Sequence, residues 1–133
     1  MGMVDSSALV AILAPEPDGE EIANRIQNSS SNVTSPIVIF ETVTALGRIR
    51  KTTVAPMLMV VHDFLGRAGI RIQPIEADLH IAALAAFEQY GKVSRHPAKL
   101  NLGDCFSYAM AKRSNDMLIY KGDDFGYTDL AWR

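Results

Sequence analysis

The sequence predicts an α/β domain with three layers, α/β/α, built around a central parallel sheet. Three observations point to it. The chain has 133 residues, the size of one domain, and a chain of that length can bury enough surface to fold without a disulfide or a metal. Short apolar runs at residues 1–4, 70–73 and 117–120 read as strands, and segments with helical periodicity separate them. Asp5 closes the first run and Asp123 and Asp124 follow the last, and a parallel sheet binds its ligands beyond the carboxyl ends of its strands.

Taken in order, residues 1–4 form a buried strand that ends at Asp5. Ser6 or Ser7 can cap a helix over residues 8–13, which Pro15 and Pro17 break. Pro17 suits the first position of a second helix, with Asp18, Glu20 and Glu21 in its first turn and Ile22, Ala23 and Ile26 facing inward. The polar residues 27–35 read as a loop. Ser35-Pro36 is a helix start, followed by Val38, Thr42, Ala45 and Ile49 at helical spacing, with Glu41 beside that stripe. Val54, Met57, Leu58, Val61 and Leu65 mark an amphipathic helix. Ile70-Arg71-Ile72-Gln73 alternates as a strand does. Residues 76–90 form an alanine-rich helix packed on two sides. Residues 102–113 form another, with Phe106, Ala109 and Met110 inward, and residues 117–120 a last buried strand.

Composition excludes several classes. The 48% apolar and 21% charged residues rule out disorder and coiled coil for the chain as a whole. A single cysteine, Cys105, cannot form an internal disulfide and fits a reducing compartment. The first residues lack the pattern of a secretion signal, and no apolar run reaches about 18 residues, so a cytoplasmic location is expected. Thirteen basic and fifteen acidic residues give a net charge of −2, which speaks against wrapping nucleic acid by bulk charge. The charge is uneven. Residues 1–41 hold six acids and one base, whereas residues 92–121 hold six bases and two acids. That basic stretch could grip a phosphate backbone or serve as a solvated face.

Four acids stand out: Asp5 after the first strand, Glu41 at the border of an apolar helical stripe, Asp104 near a helix start, and Asp124 after the last strand. Each can be read as a cap or a surface charge. Together they form an oxygen-donor set without His or Cys at ligand spacing, suited to Mg²⁺ or Mn²⁺ rather than zinc. Such an ion activates water and stabilises charge on a phosphate. Asp18, Glu20, Glu21, Glu76, Asp78 and Glu88 read as solvated charges, and Asp116 and Asp129 as ordinary loop acids. Cys105 reads as a small buried hydrophobe. His62 and His80 read as packing or surface residues, and His96 as a loop residue.

Three blocks carry a resemblance. Val4-Asp5-Ser6-Ser7-Ala8-Leu9-Val10 resembles the opening block of PIN-domain proteins. Asn101-Leu102-Gly103-Asp104-Cys105-Phe106 resembles the block with that family's third acid, and Lys121-Gly122-Asp123-Asp124-Phe125 its closing block. Their order and spacing are similar to those of VapC-type toxins of bacterial toxin–antitoxin pairs, over nearly the whole chain. The resemblance implies one PIN domain over residues 1–133 and a metal-dependent endoribonuclease acting on RNA. It places the four acids on Asp5, Glu41, Asp104 and Asp124, with Asp123 competing for the fourth place. Asp5 and Asp104 would be the direct Mg²⁺ ligands (Mn²⁺ possible), and Ser6 or Ser7 would orient a water or backbone group. It implies a cognate antitoxin, a homodimer and a toxin–antitoxin hetero-oligomer. The alternative in a different class is a catalytically silent PIN domain acting as a binding or regulatory partner, and a PIN-like DNA nuclease is a third.

Overall fold

The computed structural model describes residues 1–14 and 16–131. The breaker Pro15 lies outside the described residues. Four short strands, β1 (Gly2–Val4), β2 (Asn32–Thr34), β3 (Ile70–Ile72) and β4 (Met117–Ile119), form one parallel sheet in the order β3-β2-β1-β4. Among the described residues, six α-helices flank it: α1 (Ser6–Leu13), α2 (Gly19–Asn28), α3 (Pro36–Arg50), α4 (Val54–Ala68), α5 (Leu79–Tyr90) and α6 (Leu102–Ser114). The predicted α/β class is the observed one. No helix among the described residues is long and apolar enough to cross a membrane.

The strand order has one reversal. The chain moves outward from β1 to β2 through α1 and α2, then to β3 through α3 and α4. It then crosses back through α5 and α6 to pair β4 with the other side of β1. Neighbouring loops diverge at such a reversal, which opens a crevice beyond the carboxyl ends of β1 and β4. Asp5 sits on that rim, its backbone N–H donating to the Ile119 carbonyl at 2.9 Å.

Local chemistry explains where the elements begin. Ser35 caps α3 by accepting from the Val38 N–H at 3.1 Å, with Pro36 behind it, as the sequence predicts. The α1 cap is Asp5 rather than Ser6 or Ser7. Its carboxylate accepts from the Ser7 N–H, because Asp5 already has the extended backbone a cap requires. Helix α2 begins at Gly19 with Asp18 at its cap position, two residues beyond the expected Pro17 start. A Cβ at Gly19 would press on the Ala11 carbonyl, so glycine lets α2 fold back closely on α1. Helix α5 begins at Leu79, because residues 76–78 form a turn instead of its first turn.

The expected loop over residues 27–35 contains β2. This strand carries two polar residues yet is buried, and both donate hydrogen bonds inside, although Asn32 Oδ1 has no partner. The Asn32 amide donates to the Ile26 carbonyl at 2.8 Å, and the Thr34 hydroxyl to the Val4 carbonyl at 2.8 Å. The core lies between the sheet and its helices and includes Met3, Leu9, Val38, Leu46, Val61, Leu100 and Leu118. Helix α5 buries one face only. Leu79, Ala83, Ala86 and Tyr90 are inside, while Ile81 and Leu84 are exposed, so the expected two-sided packing does not occur.

Candidate active site

Asp5, Glu41 and Asp104 come from three different elements and line one open cleft of about 340 Å³ together with Ser6 and Ser7. The cap position of α1 aims the Asp5 carboxylate at the crevice, and three bonds fix it there. Oδ2 accepts from the Ser7 N–H at 3.1 Å and the Ser7 hydroxyl at 2.7 Å, while Oδ1 accepts from the Ser107 hydroxyl at 2.7 Å. Asp5 is 1% exposed. Ser7 does a second task, its Oγ accepting from the Lys121 N–H at 3.0 Å and tying α1 to the end of β4.

Asp104 belongs to a reciprocal cap at the start of α6. The Asn101 side chain accepts from the Asp104 N–H at 2.9 Å, and Asp104 Oδ2 accepts from the Asn101 N–H at 3.1 Å. Desolvation is the main force on its carboxyl, followed by the charge of Asp5. The Asn101 bond opposes them and Glu41 and Asp124 add to them, so the pKa is pushed up to about 7. Glu41 projects from α3 into the same space. Burial, then the Asp5 charge, raises its pKa, while the Ser6 hydroxyl pulls the other way.

Glu41 Oε1 is buried with no hydrogen-bond partner. Its carboxylate lies against Gly103, where a Cβ would collide with it. The glycine before Asp104 therefore lets α3 and α6 bring their acids side by side. A buried, unpartnered carboxylate oxygen among mutually repelling carboxylates is a donor set that fits a hard divalent cation. Among the described residues, no three His, Cys, Asp or Glu side chains close into a ready-made ion cage.

The closing acids separate. Both are exposed. Asp124, at the start of a 3₁₀ turn, is near enough for its charge to act on Asp104. Asp123 lines a neighbouring cleft with Asp18 and Glu21. Ser107, the main hydroxyl partner of Asp5 on α6, is absent from the sequence-predicted set. Its signal is its place three residues after Asp104, which puts both on one helical face.

The remaining candidates resolve as follows. Cys105 is buried, with its thiol pKa raised to about 11 by desolvation and then by Asp104, so it is an inert thiol. His62 and His80 are exposed. His96 accepts from the Ala98 N–H at 3.1 Å and packs edge-on against Tyr90. The loop-acid reading of Asp129 gives way to a structural one, since it accepts from Tyr108 at 2.6 Å and pairs with Lys112 at 2.7 Å. Asp116 does lie in the connection before β4, where it is buried. Asp78 pairs with Arg113 at 2.9 Å. Three cations of the basic stretch, Lys112, Arg113 and Lys121, are thus held by the chain's own acids, the last by Glu16.

The PIN-domain family model matches residues 2–130. A VapC ribonuclease of Rhizobium meliloti is 41% identical over 98% of this chain and 99% of its own length. Ribonuclease VapC30 of Mycobacterium tuberculosis is 39% identical over 97% of this chain and 95% of its own. Among solved structures, VapC20 of Mycobacterium tuberculosis, a toxin that cleaves the sarcin–ricin loop, superposes with a TM-score of 0.68 at 22% identity, covering 95% of this chain and 93% of that one. A chain of a toxin–antitoxin complex from Klebsiella pneumoniae gives 0.73 at 16% identity, covering 100% and 97%. These two likenesses show a shared fold.

Proposed function

The chain belongs to the PIN-domain family, and from that membership we propose that it is a VapC-like ribonuclease toxin, a single PIN domain over residues 1–133 that cleaves RNA and is neutralised by a cognate antitoxin. The observation that carries this reading is the convergence of Asp5, Glu41 and Asp104 at the crevice beside β1. Asp5 and Asp104 would hold Mg²⁺, with Mn²⁺ able to replace it, and Glu41 and Asp124 would complete the acidic set. Waters and phosphate oxygens would fill the remaining coordination positions. A bound divalent ion supplies positive charge opposite the phosphate and lowers the pKa of water.

The chain's own residues have separate tasks. Ser7 and Ser107 immobilise Asp5, so its oxygens are in place before any ligand arrives. Ser6 tunes Glu41 from the side. Burial and the Asp5 charge raise the pKa of both Glu41 and Asp104, and Asp104, at about 7, is suited to hold a proton near neutrality until a cation displaces it. Asp124 takes the fourth place in preference to Asp123, because only Asp124 acts on Asp104.

A cytoplasmic setting fits the reduced, buried Cys105. A homodimer and an antitoxin-bound hetero-oligomer fit the apolar side chains that remain exposed, Leu84 on α5 and Leu102 on α6 among them. The test incubates the purified protein with single-stranded RNA and with DNA of the same sequence, in Mg²⁺, in Mn²⁺ and in EDTA. RNA should be cut only with a divalent ion, and Asp5→Asn and Asp104→Asn should abolish cleavage while keeping the fold. Wild-type rates in both variants, undiminished cleavage in EDTA, or cleavage of DNA alone would overturn the reading. Antitoxin binding without any cleavage would establish a silent PIN domain instead.

A further inference from the structure

We propose that Arg48 binds RNA in this cleft, holding the phosphate next to the one that is cut. The inference rests on the ribonuclease reading above and adds a cation to its acids. Glu41 and Arg48 are seven residues apart on α3, two turns and about 10 Å of rise, so they share a helical face. Ala45 between them lines the same cleft, as does Arg48 itself. Long side chains on a helix lean toward its N-terminus, which carries the guanidinium from Arg48 toward the carboxylates.

The two cations of the cleft differ. The Lys121 ammonium is held by Glu16. Arg48 is exposed, and no ion pair among the described residues holds its guanidinium. A bland explanation exists, since Arg48 and Arg50 both lie in the last turn of α3, where cations favour the helix dipole. Arg50 has a packing role of its own, donating to the Leu13 carbonyl at 2.5 Å. A dipole contribution requires only charge near the last carbonyls. It does not account for a free guanidinium placed over an acidic cleft.

Phosphate chemistry does account for it. A guanidinium presents two parallel N–H groups that match two phosphate oxygens. A strand whose cut phosphate lies between Asp5, Glu41 and Asp104 passes Arg48 with a neighbouring phosphate, because the arginine sits too far along α3 to share the first one. Its charge also offsets the repulsion between RNA and four carboxylates, which would otherwise slow binding.

The experiment compares cleavage of a short single-stranded RNA in Mg²⁺ by wild type, Arg48→Gln and Arg48→Lys. Arg48→Gln should raise KM about tenfold with kcat nearly unchanged, the loss expected for one charged hydrogen bond. Its plot of log(kcat/KM) against log salt should be shallower by about 0.7, the release of counterions from one phosphate of a single strand. Arg48→Lys should keep the wild-type slope. Phosphates are then neutralised one at a time as methylphosphonates. At one position beside the cut, wild type should lose about tenfold and Arg48→Gln nothing further. Equal salt slopes, together with equal losses at every position, would overturn the assignment, and so would a fall in thermal stability with no change in slope. If wild type cuts no RNA with any divalent ion, the ribonuclease reading fails by itself. The same salt slope, measured on RNA binding by fluorescence anisotropy, then decides Arg48 separately.

Discussion

Asp104→Asn should stabilise the metal-free protein while removing its nuclease activity. The folded state holds the Asp104 carboxyl at a pKa of about 7, against 3.8 for a free aspartate, mainly through desolvation and the Asp5 charge. The sign follows from proton linkage. Below pH 3.8 the carboxyl is protonated in both states and contributes nothing. As pH rises toward 7 the unfolded chain ionises first, so folding loses stability, and above 7 the penalty is complete. A shift of roughly three units corresponds to about 4 kcal/mol. Asparagine keeps the shape and an oxygen for the Asn101 N–H, but it weakens that bond and must satisfy a new amide, at a cost of about 1–2 kcal/mol. The net gain at pH 8 is therefore about 2–3 kcal/mol, a rise in Tm of roughly 5–10 °C for a domain of this size. Thermal unfolding in EDTA at pH 8 and pH 5 measures it. The gain should shrink to nothing at pH 5, where most of the penalty is already relieved. Added Mg²⁺ should raise the Tm of wild type and leave the variant unmoved. A variant that melts below wild type by the same margin at both pH values would refute the electrostatic argument.

Three further outcomes follow from the same geometry. Gly103→Ala places a methyl group into the Glu41 carboxylate, so cleavage should fall more than tenfold and stability by about 1–3 kcal/mol, read by RNA cleavage and urea unfolding. Ser107→Ala frees Asp5 Oδ1, and a loss of about 10–100-fold in cleavage with a small change in Tm is expected, as for a residue that orients a metal ligand. Tyr108→Phe removes the 2.6 Å bond to Asp129, neither residue lining the cleft, and should cost about 1 kcal/mol in urea unfolding with kcat/KM unchanged.

The parts of the fold written in apolar pattern were legible. Strand β1 carries the buried Met3 and Val4 and β4 the buried Leu118 and Ile119, and α4 repeats Met57, Val61 and Leu65 on one face. Strand β2 was not, because Asn32 and Thr34 look like loop residues until their hydrogen bonds to Ile26 and Val4 are seen. Those bonds join residues 6 and 30 positions apart, and no local pattern encodes them. The acids were legible as residues out of place in their surroundings. Their supports were not. Ser107 looks like any helical serine, and Gly103 matters only because Glu41 arrives from another helix. Six basic residues crowd residues 92–121, yet three of them are bound by Asp129, Asp78 and Glu16. The unpaired guanidinium of the cleft, Arg48, lies outside that stretch.

Reading a carboxylate as a helix cap and reading it as part of a nuclease site are not competing explanations here. Asp5 caps α1, and Asp104 is the third residue of α6 inside a reciprocal cap. Helix N-termini carry partial positive charge and free N–H groups, which favour a carboxylate by about 0.3–1 kcal/mol each. Caps are therefore where a protein can store negative charge in the absence of a cation. The strand reversal brings two such N-termini to one rim, and α3 adds Glu41 from its second turn, beyond the reach of its own dipole. The compensation is incomplete. Glu41 keeps a buried oxygen without a partner, and the Asp104 carboxyl is raised to about 7. What is left over is a site that a proton can satisfy at low pH and that only a cation can satisfy above neutrality. Capping makes the acids tolerable in the folded chain, and the residual repulsion is the driving force available for binding a divalent ion.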